Sequence, residues 1–416
     1  MTSNWRDPAA TITGPTGATG TYVNGDVVSS LSNNVTLPTY APETNITNWG
    51  SGHGWSNQTT GNGTQSDDTV LKYRGTQSLK YVTNGNQTAA ITRKTGLSID
   101  ATGKMVKLYV NIDNPSGLQE FWVVATSDSW TNFWSWKISV DMTQIKNGGV
   151  WIPLTIPFLD ATITGSPNRA AISGMQIRFK DLGSAVTINL GALVLVPESM
   201  DTGVCTITFD DCWESQYTQA LLKMSQSGLQ GVVYTIPDLV GTPNYMTLEQ
   251  LKSMQNDYGW DIASHHQTIL TTVGTSEGVA SILDGVKQYL ISNGFKAYNH
   301  FAFPSGAYDE TIVMPNVKKY FSTARTIASS KSETIPAPDW HRLRVFLILN
   351  TTTTADIASA VTKAISNKYW LILVFHRIVT TPSSSTEYSI VDFGTVIDNI
   401  VSQGIAVKTL TQIETG

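Results

Sequence analysis

Cysteine is nearly absent from this chain: 416 residues contain two, Cys205 and Cys212. The apolar stretch between them reads as a strand rising ~3.3 Å per residue. Their Cα atoms are therefore expected beyond the ~7 Å that a disulfide spans. Both read as free thiols, which leaves the redox compartment open. Charge is also sparse, at 14% of residues, with a net charge of -5 and no basic run. That balance excludes nucleic acid as the expected partner. No apolar segment approaches the ~20 residues of a membrane span, so no membrane partner is expected. Residues 1–7, Met-Thr-Ser-Asn-Trp-Arg-Asp, hold no apolar signal region.

What is present changes texture along the chain. Residues 1–42 read as a flexible leader in which Gly14, Gly17 and Gly20 recur at every third position, as a collagen-type triple helix requires. Two triplets cannot hold such a helix, so a Gly/Thr linker is the simpler reading. Attachment to a trimeric fibre is the alternative. Residues 43–199 carry short strand-like runs at 78–83, 105–111, 120–125, 133–139, 150–156, 175–179 and 186–190, separated by Gly, Asn, Asp and Ser. That spacing, without helical periodicity, predicts an antiparallel β-sandwich of jelly-roll type. Pro153 suits an edge strand or a strand end. Trp134 and Trp136 share one strand face and read as core, whereas Trp130 lies in a turn-like Ser-Asp-Ser-Trp-Thr-Asn segment. A loop-borne tryptophan offers a flat π-face to a sugar ring, so Trp130 is a candidate carbohydrate contact. The layout resembles a carbohydrate-binding module, without a specific motif.

From residue 200 to 416 strands alternate with helices. Tyr217, Ala220, Leu221 and Met224 follow i, i+3, i+4, i+7 spacing, and Val279, Ile282, Leu283, Val286 and Leu290 form a second stripe. Thr247 and Gln250 make a capping box, and further helices fit 357–365 and 393–401. Strand-like runs fall at 204–210, 231–236, 260–264, 300–303, 321–327, 342–349, 370–375 and 405–409. Such alternation predicts a parallel sheet, open or closed into a barrel.

Asp210 and Asp211 end the first of these runs. Taken alone, the acid pair fits a helix cap as well as a site where one acid binds a metal and the other handles a proton. Position decides. His265 and His266 follow the third run, Pro304-Ser305-Gly306 the fourth, and His376 the run 370–375. Parallel α/β folds build their sites at these carboxyl ends.

Residues 203–416 resemble the polysaccharide deacetylases with NodB homology, carbohydrate esterase family 4. The resemblance rests on Thr208-Phe209-Asp210-Asp211, Ser264-His265, Pro304-Ser305-Gly306, and Leu371 to His376, in that order. It implies a distorted (β/α)7-type barrel and metal-dependent removal of acetyl groups from a polysaccharide. By position, Asp210 would be the general base, Asp211 and His265 metal ligands, and His376 the general acid. The Ser305 backbone N–H would stabilise the oxyanion, and zinc is the first expectation among divalent ions. Three departures stand out. Ile269 occupies the family's second histidine position, so His266 is the candidate third ligand. Ala302 replaces the arginine that orients the base, so Arg342 or, by preference, Arg344 would supply that charge, with Trp340 lining the groove. Cys212 replaces a glycine, as a soft ligand or merely a small residue. His300 and His53 read as structural or surface residues. The expected partner is a polysaccharide, and the expected location is extracellular or on a virion. The rival reading is a catalytically impaired glycan-binding or phage tail fibre component, assembled as a homo-oligomer such as a trimer.

Overall fold

The computed structural model describes residues 11–13, 19–21, 43–138, 148–327 and 332–415. Of the leader, two short strands are described, Thr11–Thr13 and Thr19–Thr21, paired antiparallel; the glycines at 14 and 17 lie outside the described residues. Two compact units follow. One comprises Tyr40–Ser199 with Thr334–Asp339, and the other comprises Met200–Glu333 with Trp340–Gly416.

The first unit is a sandwich of two antiparallel sheets. One sheet runs Trp151–Ile156, Lys104–Ile112, Thr187–Pro197, Ser78–Thr83, Gly63–Asp68, with Thr44–Thr47 added on Thr187–Pro197. The other runs Thr162–Thr164, Phe133–Lys137, Leu118–Thr126, Ile172–Asp181, Ala90–Ile99, Ser56–Asn57. Residues alternate between core and outer face, as strand geometry demands. Phe121, Val123 and Ala125 are fully buried, and their neighbours Trp122 and Val124 are only partly so. Trp134 and Trp136 are core residues, each edge-on to Phe158 with ring centroids 5.1 Å apart. Trp136 Nε1 donates to the Pro157 carbonyl at 2.8 Å, which satisfies its buried polar handle. Pro153 sits in the edge strand of its sheet, where a missing N–H is harmless.

The second unit is built on a parallel sheet in the spatial order Thr323–Arg325, His300–Ala302, Asp261–Ser264, Val232–Thr235, Val204–Asp210, Trp370–Phe375, Phe346–Leu347. Ala406–Val407 adds to the start of Val204–Asp210. All seven residues of Val204–Asp210 are buried, the pattern of a strand covered on both faces. The run expected at 342–349 is shorter as a strand. Leu343 bridges to Arg325, while Phe346 and Leu347 pair with Leu373 and Val374, so this segment links the two sheet edges and rounds the sheet into a barrel. Between these contacts the Arg344 N–H leaves the ladder and donates to Glu333 Oε1 at 2.6 Å.

Helices Leu248–Asn256, Ser276–Ser292, Thr354–Asn367 and Ile390–Gln403 fall where periodicity placed them. The Thr247/Gln250 capping box is formed in both directions. Helices Val313–Tyr320 and Leu410–Thr415 were not anticipated; the first opens without a side-chain cap and carries a proline, which weakens any local signal. Among the described residues no helix is long and apolar enough to cross a membrane.

Candidate active site

Asp210 closes its strand and is 4% exposed. The next two residues adopt left-handed backbone, with φ 73° at Asp211 and 56° at Cys212. Such torsions cost a non-glycine residue on the order of 1–3 kcal/mol and collect at functional sites. A glycine would relieve that strain at position 212. Cys212 is fully buried, its Sγ 3.8 Å from the Ile236 carbonyl oxygen, and acts as a small packing residue. Burial pushes both thiols up to about 12, and both are free.

The two adjacent carboxylates part company. Asp210 Oδ1 is paired with the guanidinium of Arg325, and its Oδ2 lies 3.7 Å from His376 Nε2. Asp211 Oδ1 faces His265 Nε2 at 3.5 Å, and its Oδ2 accepts from Trp213 Nε1 at 3.2 Å. Gln216, fully buried, donates through Nε2 to the carbonyls of Asp210 (2.6 Å) and His376 (3.1 Å). One side chain thus ties together the ends of two strands that lie far apart in sequence. Around this cluster a cavity of about 550 Å³ is lined by Asp210, Asp211, His265, His266, Ser305 and His376, with Ile236, Leu239, Tyr245 and Leu347 among its apolar walls. Trp213 stacks on Tyr245 at 4.4 Å, and Arg377 lies over the Trp213 ring at 5.2 Å.

The Pro304–Gly306 turn is left-handed at Ser305 (φ 53°) and Gly306 (φ 61°). A Cβ on Gly306 would lie 2.3 Å from Ile327 Cγ1 and 2.9 Å from Ile327 N. Only glycine fits there, and it leaves Ser305 exposed at the cavity wall.

Electrostatics separate the groups. Burial acts against ionisation of Asp211, yet the His265 hydrogen bond, the nearby His265 and His376 rings and the Trp213 N–H outweigh it and hold the carboxyl below its usual value. Burial takes His376 down to about 4, with Asp211 opposing and Arg325 and His265 adding to the fall. Burial lowers Arg325 to about 9, which leaves it charged at neutral pH. His376 Nδ1 is buried and has no hydrogen-bond partner among the described residues.

A carbonyl can only accept, so His265 Nδ1–H donates to the Ala302 oxygen at 2.8 Å, which turns Nε2 toward Asp211 Oδ1. The pair Asp211–His265 therefore fits two positions of a divalent ion. A three-residue set does not form: among the described residues no group of three His, Cys, Asp or Glu is arranged to hold a metal. Ile269 is 37% exposed and offers no donor. His266, expected as the third ligand, lines the cavity instead, its Nδ1 accepting from the Thr268 N–H at 2.9 Å. Adjacent residues leaving a strand point apart, which is why His265 and His266 do not converge.

Two further expectations need correction. Arg344 is not the partner of Asp210. Its Nε and NH2 are held by Glu333 at 2.9 and 3.1 Å, and Arg342 pairs with Glu310 at 2.5 Å. The orienting guanidinium belongs to Arg325, fully buried and 4.5 Å from the Tyr234 ring centroid. It stands at the carboxyl end of Thr323–Arg325, so the strand-end rule that located the acids also points to it. Trp340 does not line the groove. Its ring packs against Trp370, centroids 5.9 Å apart, at the start of the strand whose far end precedes His376. Six residues at ~3.3 Å each separate those ends. Gln216, Trp213 and Tyr245 carry no signal that sets them apart in sequence.

The remaining histidines have structural roles. His300 Nδ1 is 2.9 Å from Thr323 Oγ1, and burial takes the ring to about 3. His341 Nε2 donates to the Phe321 carbonyl at 2.8 Å. His53 is half-buried rather than a surface residue, 3.2 Å from Asp67 and accepting from the Trp55 N–H at 2.9 Å.

A parallel α/β barrel with carboxylates and imidazoles gathered at its strand ends is the layout of an enzyme domain. Residues 198–320 match the polysaccharide deacetylase family model. No curated protein matches the chain. Among solved structures, the chain is similar to the Xyl-CE4 domain of a multidomain xylanase from the hindgut metagenome of Trinervitermes trinervoides, at 14% identity over 51% of this chain and 90% of that one, TM-score 0.38. It is also similar to a family 4 carbohydrate esterase from Streptomyces lividans, at 17% identity over 50% and 93%, TM-score 0.36. The family 11 carbohydrate-binding module of a Clostridium thermocellum cellulosomal cellulase is similar at 11% identity over 38% and 96%, TM-score 0.30.

Proposed function

We propose that the barrel hydrolyses acetyl groups from a polysaccharide, with Asp210 as general base and His376 as general acid. One observation carries the reading: Asp210, Asp211, His265 and His376 line a single cavity although they are spread over more than 160 residues of chain. The family match at 198–320 agrees with it. Asp210 is paired with the Arg325 guanidinium, and an adjacent cation favours the ionised form of a carboxyl, so it can take a proton from water as the water oxygen bonds to the acetyl carbon. Burial keeps His376 neutral beforehand, so the proton gained by Asp210 passes to the imidazole Nε2, 3.7 Å from Asp210 Oδ2. As the carbon–nitrogen or carbon–oxygen bond breaks, His376 gives that proton to the departing amine or alcohol, releasing acetate. The Ser305 N–H is the oxyanion donor in this scheme. Asp211 and His265 would hold a divalent ion, zinc by donor chemistry. When bound, such an ion polarises the carbonyl and acidifies water.

The sandwich unit, residues 43–199, is proposed as a carbohydrate-binding module, with Trp130 as a contact. The catalytic assignment is tested by acetate release from acetylated xylan and N-acetylated chitin oligomers. Asp210→Asn and His376→Gln should each lower the rate about 10²-fold or more, with circular dichroism reporting whether the fold survives. A folded variant as active as the parent would remove that residue from the mechanism.

A further inference from the structure

The outer face of the second sandwich sheet has a composition that core packing does not require. Cross-strand register brings Trp122 between Lys137 and Arg178, and Val124 between Ser135 and Gln176, with Arg93 opposite Gln176. All these side chains point away from the core, and Phe133 and Trp130 complete one end. Apart from Lys137, they line a groove of about 350 Å³, the size of a small-ligand pocket.

Trp130 is held in place rather than loosely exposed. Its backbone is left-handed, φ 68°, an outlying conformation for so bulky a residue. The loop is secured by Asp128, whose carboxylate accepts from the N–H groups of Thr131 (3.1 Å) and Asn132 (2.8 Å). Gly174 leaves room for the ring: a Cβ there would lie 3.3 Å from Trp130 Cζ2. Strain that survives in a well-bonded loop marks a presented side chain.

The charge on this face is unbalanced. Arg178 is paired with Glu120 at 2.8 Å. Arg93 stacks its guanidinium 4.3 Å over Trp130 and donates through Nε and NH2 to the Gln176 amide oxygen at 3.1 and 2.6 Å. It has no carboxylate partner among the described residues. Lys137, 5.8 Å from the Trp122 ring centroid, likewise has none. Burial lowers Arg93, as befits a cation partly stripped of water with no anion beside it. The Asp128 carboxylate is engaged by its own loop. A chain of net charge -5 therefore places two uncompensated cations on aromatic rings of one sheet face, Arg93 in the groove and Lys137 opposite Trp122 beside it.

We propose that this face binds an acidic polysaccharide, with sugar rings stacked on Trp130 and Trp122 and ring carboxylates taken by Arg93 and Lys137. An arginine braced flat on an aromatic ring presents its remaining N–H groups as a fork for a carboxylate. The inference rests on the reading of the chain as glycan-directed, and it adds the sugar class.

The test is affinity electrophoresis of the full chain in gels containing polygalacturonate, alginate or hyaluronate, each run beside its methyl ester. Esterification removes the charge and keeps the backbone. The parent should bind at least one acid form tenfold or more tightly than its ester, with affinity falling as salt rises. Trp130→Ala should lose retention on that polymer, Arg93→Met should lose the preference for acid over ester, and Arg93→Lys should keep part of it. Equal binding to acid and ester by the parent on all three polymers, or an unchanged preference in Arg93→Met, overturns the proposal. Acetate release by the parent from a short, neutral acetylated oligosaccharide is measured in parallel. Its absence counts against the deacetylase reading and leaves the charge preference to stand or fall on the gels.

Discussion

Replacing Arg325 by methionine isolates the contact on which the proposed base depends. Asp210 and Arg325 are 4% and 0% exposed, so solvent cannot take over from the lost cation. Removing one member of a buried pair typically costs about 3–5 kcal/mol, because the other charge is left unmatched. In Arg325→Met the Asp210 carboxyl sits in a low-polarity site without its cation, and its folded-state pKa rises above the unfolded value of about 3.9. A carboxyl with a raised folded pKa binds more protons folded than unfolded. Its stability penalty grows as pH rises through the window between the two values and then levels off. The deficit of Arg325→Met relative to the parent should therefore be smaller at pH 5 than at pH 8. Urea denaturation of the barrel transition at both pH values reads this directly, provided the m-value is unchanged. The double variant Asp210→Asn/Arg325→Met should be less damaged than the sum of the two single variants, by about 2 kcal/mol or more. Additive losses to within ~0.5 kcal/mol, with a deficit independent of pH, would refute the pairing and with it the route by which Asp210 is kept ionised.

Other outcomes follow from the same geometry. The purified parent should carry about one divalent ion per chain by elemental analysis. Asp211→Ala or His265→Ala should lower that content strongly, whereas His266→Ala should lower it little, because His266 is not gathered with the other two; a parent that takes up no divalent ion would remove the metal from the proposal. At the opposite end of the barrel, burial and the neighbouring Asp261 raise Glu414 to about 8, and its Oε2 lies 3.7 Å from His300 Nε2. A carboxyl protonated in the fold but ionised when unfolded stabilises below its unfolded pKa, and that contribution is lost as pH climbs to about 8. Above about pH 7.5 the unfolded histidines are deprotonated, so His300 and His376, both held low in the fold, add almost no opposing slope. The parent's melting temperature should thus fall between pH 7.5 and 8.5, and Glu414→Gln should flatten that fall. An unchanged slope would place the titrating group elsewhere.

Much of the site was legible in sequence because a parallel sheet gathers its strand ends in space. Apolar runs that stop at Asp210, Ser264 and Phe375 put Asp211, His265 and His376 at one rim, and no tertiary knowledge is needed to see it. Local patterning likewise determined the capping box at Thr247 and the shared face of Trp134 and Trp136. Which groups then touch was decided by the closed barrel. Long side chains such as Arg325, Arg342 and Arg344 reach several neighbours from similar positions, so their partners depend on strand stagger and on where Glu333 and Glu310 fall. Period-two alternation places Phe121 and Trp122 on opposite faces, but only the second sheet, packed on one side, makes Phe121 core and leaves Trp122 on the groove. Left-handed torsions at Asp211 and Trp130 have no residue signature, since neither aspartate nor tryptophan is required there. They arise where tertiary contacts hold the backbone in a conformation that the local sequence would not choose.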